Sequence, residues 1–107
     1  MSARLTLVVV LHVDAGRENA FERFEMAAAA IMRRHGGVIE RRIAVEPGAG
    51  ASHPREVHIV TFPDRTAYDR YRADPALQPL AALRADAIRE TVVWFGTDRA
   101  PFAPQPA

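Results

Sequence analysis

Leu5-Thr6-Leu7-Val8-Val9-Val10-Leu11-His12-Val13, preceded by Arg4, is the stretch on which the fold turns. A run this rich in β-branched residues and Leu is too short for a buried helix and reads as a strand over Arg4 to Val13. Apolar residues occupy both parities, so both faces are covered at least in part, as in the centre of a sheet. Asp14 stands where it can cap the next segment. From Arg17 to His35, Phe21, Phe24, Ala28 and Ile31 fall at helical spacing. Glu18, Glu22 and Glu25 come early and Arg33, Arg34 and His35 late, which suits the helix dipole. Gly36-Gly37 ends this helix.

A second strand is expected from Val38 to Glu46, with Glu40 and Arg42 on one face and Arg41 on the other. Pro47 to Pro54 is a loop by composition and contains His53. A third strand, Glu56 to Phe62, stops at Pro63. Asp64 can cap the helix carrying Tyr68, Asp69 and Tyr71, and Asp74-Pro75 ends that helix. Leu77, Leu80, Leu83, Ala87 and Ile88 give the apolar stripe of a last helix, and Thr91 to Gly96 reads as the fourth strand. The expected organisation is one domain over residues 1–97 and a Pro-rich tail over 98–107.

The order β-α-β-β-α-β defines an α+β, ferredoxin-like fold with a four-stranded antiparallel sheet. Right-handed crossovers put the first and third strands side by side in its centre, with the helices on one face. The other face is too apolar to stay wet, and a second copy of the chain is the simplest cover. The expected assembly is a homodimer through the open sheet face.

The 107-residue chain carries fourteen basic side chains, all Arg, against thirteen acidic ones, and it has neither Lys nor Cys. That excludes thiolate nucleophiles, disulfides, Cys-ligated metal, Schiff-base lysines and the lysine of a phosphate-binding loop. A net charge of +1 gives no bulk attraction for nucleic acid or an anionic membrane. The first apolar run lacks a signal-peptide cleavage site and is far shorter than the roughly 20 residues of a spanning helix. A cytoplasmic protein is the expectation, with neither nucleic acid nor membrane as partner.

Ile59-Val60-Thr61-Phe62-Pro63-Asp64, the region of Tyr68 and Tyr71, Asp74-Pro75-Ala76-Leu77-Gln78 and Val92-Val93-Trp94-Phe95-Gly96 together carry a family likeness. Over residues 4 to 97 the chain resembles the dimeric α/β-barrel superfamily. It is most similar to an uncharacterised family of bacterial chains of about this length, and more distantly similar to antibiotic-biosynthesis-monooxygenase-like proteins. The resemblance implies the fold already derived, a dimeric barrel, and a superfamily that spans cofactor-independent monooxygenases, isomerases, haem enzymes and members without known activity. The sequence departs from the pattern at Leu77, where an aromatic residue is common, and in lacking an acidic residue before Gly96.

Bulk on the first strand sends Leu5, Leu7, Val9 and Leu11 to the helices and Thr6, Val8, Val10 and His12 to the open face. The same reasoning sends Val57, Ile59 and Thr61 to the helices and His58, Val60 and Phe62 to the open face. His12 and His58 then become neighbours and candidate catalytic residues, an acid–base pair or, with Glu40, metal ligands. Two half-solvated strand-end imidazoles are the ordinary alternative, and no metal and no cofactor are expected. Thr6, Val8, Val10, Glu40, Arg42, Val60, Phe62 and Trp94 are the expected pocket lining. An exposed edge-strand pair is the more frequent explanation for Glu40 and Arg42, and interface packing the better reading of Trp94. His35 is explained by the helix dipole, His53 by loop exposure, and the Tyr68–Tyr71 pair by packing.

The expected function is binding of a small, largely apolar organic metabolite, with transformation by cofactor-independent oxygenation or isomerisation as the enzymatic form. A non-catalytic dimer module with a filled sheet face is the alternative. A nucleic-acid-binding sheet needs exposed aromatics on the central strands, where only Phe62 is available.

Overall fold

The computed structural model describes residues 4–47 and 55–104. Strand β1 (Leu5–Val13) leads into helix α1 (Glu18–Arg33), then strands β2 (Val38–Ala44) and β3 (Glu56–Phe62). Helix α2 (Arg65–Arg72), a 3-10 segment (Pro75–Leu80), helix α3 (Ala81–Ala87) and strand β4 (Ile88–Gly96) follow. The sheet order is β2-β3-β1-β4, with β1 antiparallel to both neighbours. The ferredoxin-like α+β arrangement, with β1 and β3 central, is therefore the observed one.

The helical layer buries two groups of apolar residues against one sheet face. The first joins Leu11 to Phe21, Phe24 and Ala28 of α1 and to Ala87 and Ile88. The second joins Leu7, Val60 and Phe62 to Ile31 and Met32 of α1 and to Tyr71 of α2. The spacing of Phe21, Phe24, Ala28 and Ile31 thus marks the buried face of α1 as expected. The turn that follows α1 closes at Gly36, whose φ of +76° is costly for side-chain-bearing residues. Gly37 is needed for closeness instead, because a Cβ there would lie 2.6 Å from the Phe62 ring.

Several local expectations need correction. Asp14 does not cap α1: Arg17 is the N-cap and makes no side-chain cap bond, since a tight turn through Gly16 intervenes. Asp64 does cap α2, accepting from Ala67 N at 2.8 Å, and Asp74 caps the 3-10 segment through Ala76 N. The single last helix is two pieces, 3-10 then α, with Pro79 inside the first. Ile88 ends the apolar stripe but already belongs to β4, which starts three residues before the expected Thr91. His35 does more than sit in a dipole: its Nε2 lies 2.8 Å from Asp74 Oδ2, joining the end of α1 to the turn after α2. The expected loop at 47–54, with His53, lies outside the described residues beyond Pro47.

Candidate functional site

Register decides which side chains meet, because residues directly opposite in an antiparallel pair share a face. Leu7 is opposite Val60, Val9 opposite His58 and Leu5 opposite Phe62. His58, Val60 and Phe62 therefore face the helices, while Val57, Ile59 and Thr61 share the open face with Thr6, Val8 and Val10. The expected parity of β3 is reversed. His12 pairs across β4 with Glu90 and lies on the open side, so the His12–His58 pair does not exist. A metal site built on both imidazoles with Glu40 is excluded with it.

Strand β2 divides the second expected pair. A bulge between Ile39 and Arg41 makes Glu40 the extra residue, and its carboxylate accepts from Thr61 Oγ1 at 2.9 Å on the open face. Past the bulge Arg41 is opposite Ile59 and Arg42 opposite His58. Arg42, not Arg41, thus reaches the helix side. Thr6, Val8 and Trp94 border a shallow depression of about 350 Å³ on the open face, where Trp94 is 60% exposed. Phe62, the one aromatic that a nucleic-acid-binding sheet would use, is fully buried under the helices.

The chemically richest place is the space between sheet and helices. His58 is 2% exposed, and its Nε2 lies 2.8 Å from Glu56 Oε1. Glu56 is also buried and takes a two-pronged bond from Arg42, Nε to Oε1 at 2.9 Å and Nη2 to Oε2 at 2.7 Å. Arg42 Nη2 reaches Glu22 of α1 as well, at 2.7 Å. Burial acts to raise the Glu56 carboxyl, but the Arg42 and His58 hydrogen bonds outweigh it and hold it below the usual range. An ionised Glu56 can only accept, so the proton in that bond is carried by His58 Nε2.

Nδ1 faces Glu25 of α1, whose Oε2 is 3.9 Å away. Burial, then the Glu56 charge, pushes the Glu25 carboxyl from 4.5 up to about 7. That separation is too long for a direct hydrogen bond, so neither group satisfies the other. Both line a cavity of about 90 Å³ whose walls are otherwise mainly apolar, with Phe24, Val60, Phe62 and Tyr71 among them. Burial also pushes the Tyr71 hydroxyl up to about 12, so it keeps its proton. Two carboxyl groups with oppositely shifted acidities beside one oriented imidazole form an arrangement suited to proton transfer. Among the described residues no group of three or more His, Asp or Glu is placed to hold a metal ion.

Of the expected site residues, the structure brings His58, Val60 and Phe62 to this cavity, with Arg42 behind His58. Thr6, Val8, Val10, His12, Glu40 and Trp94 belong to the other side. Glu25, Glu56 and Arg84 were missed, although a signal existed for each. Glu25 is four residues after Phe21 and three before Ala28, inside the apolar stripe of α1. Arg84 holds the same place between Leu80 and Ile88, and Glu56 shares the parity of His58.

Fold and site define a ferredoxin-like α+β protein with an acid–base cluster beneath its helices. The chain belongs to the family of the domain of unknown function DUF1330, whose model matches residues 7–96. No curated protein sequence matches it. Among solved structures it is similar to a protein of unknown function from Rhodopseudomonas palustris (TM-score 0.79, 13% identity, 94% of this chain and 86% of that one). It is also similar to SnoaB, a cofactor-independent oxygenase from Streptomyces nogalater (TM-score 0.70, 20% identity, 96% of this chain and 100% of that one). A third is a DABB family protein with a ferredoxin-like fold from Mesorhizobium loti (TM-score 0.66, 16% identity, 92% of this chain and 100% of that one). At these identities the likeness establishes the fold, and function has to be argued from the site.

Proposed function

We propose that the protein binds a small, largely apolar organic molecule beneath its helical layer and moves a proton on it without a cofactor. The observation that carries this is His58, held by Glu56 at 2.8 Å with its other ring nitrogen turned to Glu25 on the cavity wall. In this reading Nδ1 removes a proton from an acidic C–H or phenolic O–H, and protonated Glu25 donates to the oxygen that gains charge. With an enolisable ketone the outcome is isomerisation. With a hydroxyarene the product is an electron-rich anion open to dioxygen, a direction that the likeness to SnoaB supports. The base role falls to His58 alone.

The test uses two probes: α-deuteration of acetophenone in heavy water by NMR, and oxygen uptake with 1,4-dihydroxynaphthalene. His58→Ala is expected to lower whichever rate the protein supports by about 10²-fold or more. An unchanged rate would remove His58 as the base. The second reading, a non-catalytic module, is favoured by the cavity's size. About 90 Å³ is well below the roughly 300 Å³ at which small-molecule pockets begin. Neither probe reacting above the uncatalysed rate would select it.

The proposed assembly is a homodimer through the open sheet face. Val8, Val10, Ile59 and Trp94 leave that face apolar. A second copy would dry these strands. Light scattering should give twice the chain mass at micromolar concentration, and Trp94→Glu should shift the population toward monomer. A wild-type monomer would overturn the assembly.

A further inference from the structure

Toward the helices, the cavity beside His58 is bounded by side chains that it shares with a second opening. Phe24, Tyr71, Arg72 and Arg84 line it and also line an outer cleft of about 390 Å³ formed by α1, α2, the 3-10 segment and α3. These four side chains are thus a neck between an inner, apolar chamber and an outer opening. The inner space alone is undersized for an organic ligand, whereas the two together fall within the ordinary range for small-molecule sites.

The neck also carries positive charge in no direct ion pair, although Arg84 acts at longer range on the Glu25 carboxyl. The ion pairs of arginine among the described residues are made by Arg17, Arg42 and Arg65, and none by Arg72 or Arg84. Arg84 gives one Nη2 bond to Thr91 Oγ1 at 2.9 Å, and the rest of its donor fork makes no hydrogen bond among the described residues. Asp74, the one acidic residue of the outer cleft, is committed to His35 at 2.8 Å and to Ala76 N at 2.9 Å. The protonated Tyr71 hydroxyl makes no side-chain hydrogen bond among the described residues and adds a neutral donor. Donors of this kind, set at the mouth of an apolar sleeve, match a planar anion with a hydrophobic body.

We infer that the ligand is a small carboxylic acid, its apolar part in the inner chamber and its carboxylate at the neck on Arg72, Arg84 and the Tyr71 hydroxyl. This rests on reading the inner cavity as the substrate site, and it names the class of substrate taken there. It also gives the neck a positioning task, since a carboxylate fixed there sets how far the body reaches toward His58 and Glu25.

The test compares benzoate with benzyl alcohol, its neutral counterpart, as probes of the full-length chain by NMR titration. Reporters are the methyl groups of Met32 and Ile88 for the inner chamber and those of Leu77 and Ala81 for the outer cleft. Benzoate should bind at least tenfold more tightly than benzyl alcohol and shift both sets. Arg72→Gln and Arg84→Gln together should abolish that preference while leaving benzyl alcohol unchanged. Arg72→Gln alone, at an exposed position, should reduce it without risk to folding. Equal binding of the two probes at the inner methyls would overturn the carboxylate inference and leave the cavity reading standing. An arginine-dependent preference confined to the outer methyls would overturn the cavity reading and the ligand placement while keeping the anion site. No binding of either probe would overturn both.

Discussion

Glu56→Ala is expected to lower folding stability by about 3 kcal/mol, a fall in Tm of roughly 10–20 °C for a chain of this size. The carboxylate is the shared acceptor of the buried network: Oε1 receives His58 and Arg42, and Oε2 receives Arg42 again. Without it, the Nε2–H of His58 has no acceptor in a place with 2% exposure, next to the ring of Phe21 at 6.3 Å. Leaving that donor unsatisfied is the main cost. Arg42 contributes less, because it is nearly half exposed and keeps Glu22 at 2.7 Å. The expected loss is therefore at the low end of what breaking a fully buried ion pair brings. Glu56→Gln keeps an oxygen where Oε1 stands and should lose less than half as much. Adding His58→Leu to Glu56→Ala should recover stability, since removing both partners leaves nothing unpaired. Denaturant titrations followed by circular dichroism measure all three. Equal losses for Ala and Gln would show that charge, not the hydrogen bond to His58, is what holds the network.

The contrast between these two partners explains what could be read from the chain and what could not. Elements were legible where a period and a terminator agreed, as in α1 with its stripe and Gly36, or α2 with the Asp64 cap. The faces of β3 were not. In Glu56–Phe62 both parities hold apolar side chains, so alternation has no sign, and bulk was a poor substitute for it. The buried parity includes Glu56 and His58, which composition would send outward. Only their mutual pairing, with Arg42 across the strand, makes burial tolerable. That pairing depends in turn on the bulge at Glu40, which moves Arg42 onto the helix side and which no residue type announces. Three local ambiguities thus shared one solution, visible only once register was known. The same applies to the start of β4, where Ile88 completes a helical stripe and a strand at once.

Glu25→Gln should act in the opposite direction to Glu56→Ala and stabilise the protein, but only at high pH. The Glu25 carboxyl is raised from 4.5 to about 7 in the fold, chiefly by burial and then by Glu56. Between those values the folded chain holds a proton that the unfolded chain has released, so the stability tied to this group is complete below about pH 4.5 and falls as pH rises toward 7. Above 7 the ionised side chain, 16% exposed, stays in the cavity at a cost of about 3 kcal/mol. Glu56 works in the other window: its lowered carboxyl contributes stability above about 4.5, which is lost as pH falls through its folded value. Gln at position 25 has the neutral form's shape at every pH. It should add about 2–3 kcal/mol at pH 8 and almost nothing at pH 4, read from urea titrations at the two values. An equal gain at both, or none at pH 8, would mean that Glu25 is not the group that titrates. A gain at pH 8 alone would show that the native chain keeps, beside an oriented imidazole, a carboxylate that weakens its own fold. Stability selects against such a residue, and proton transfer is a reason to keep it.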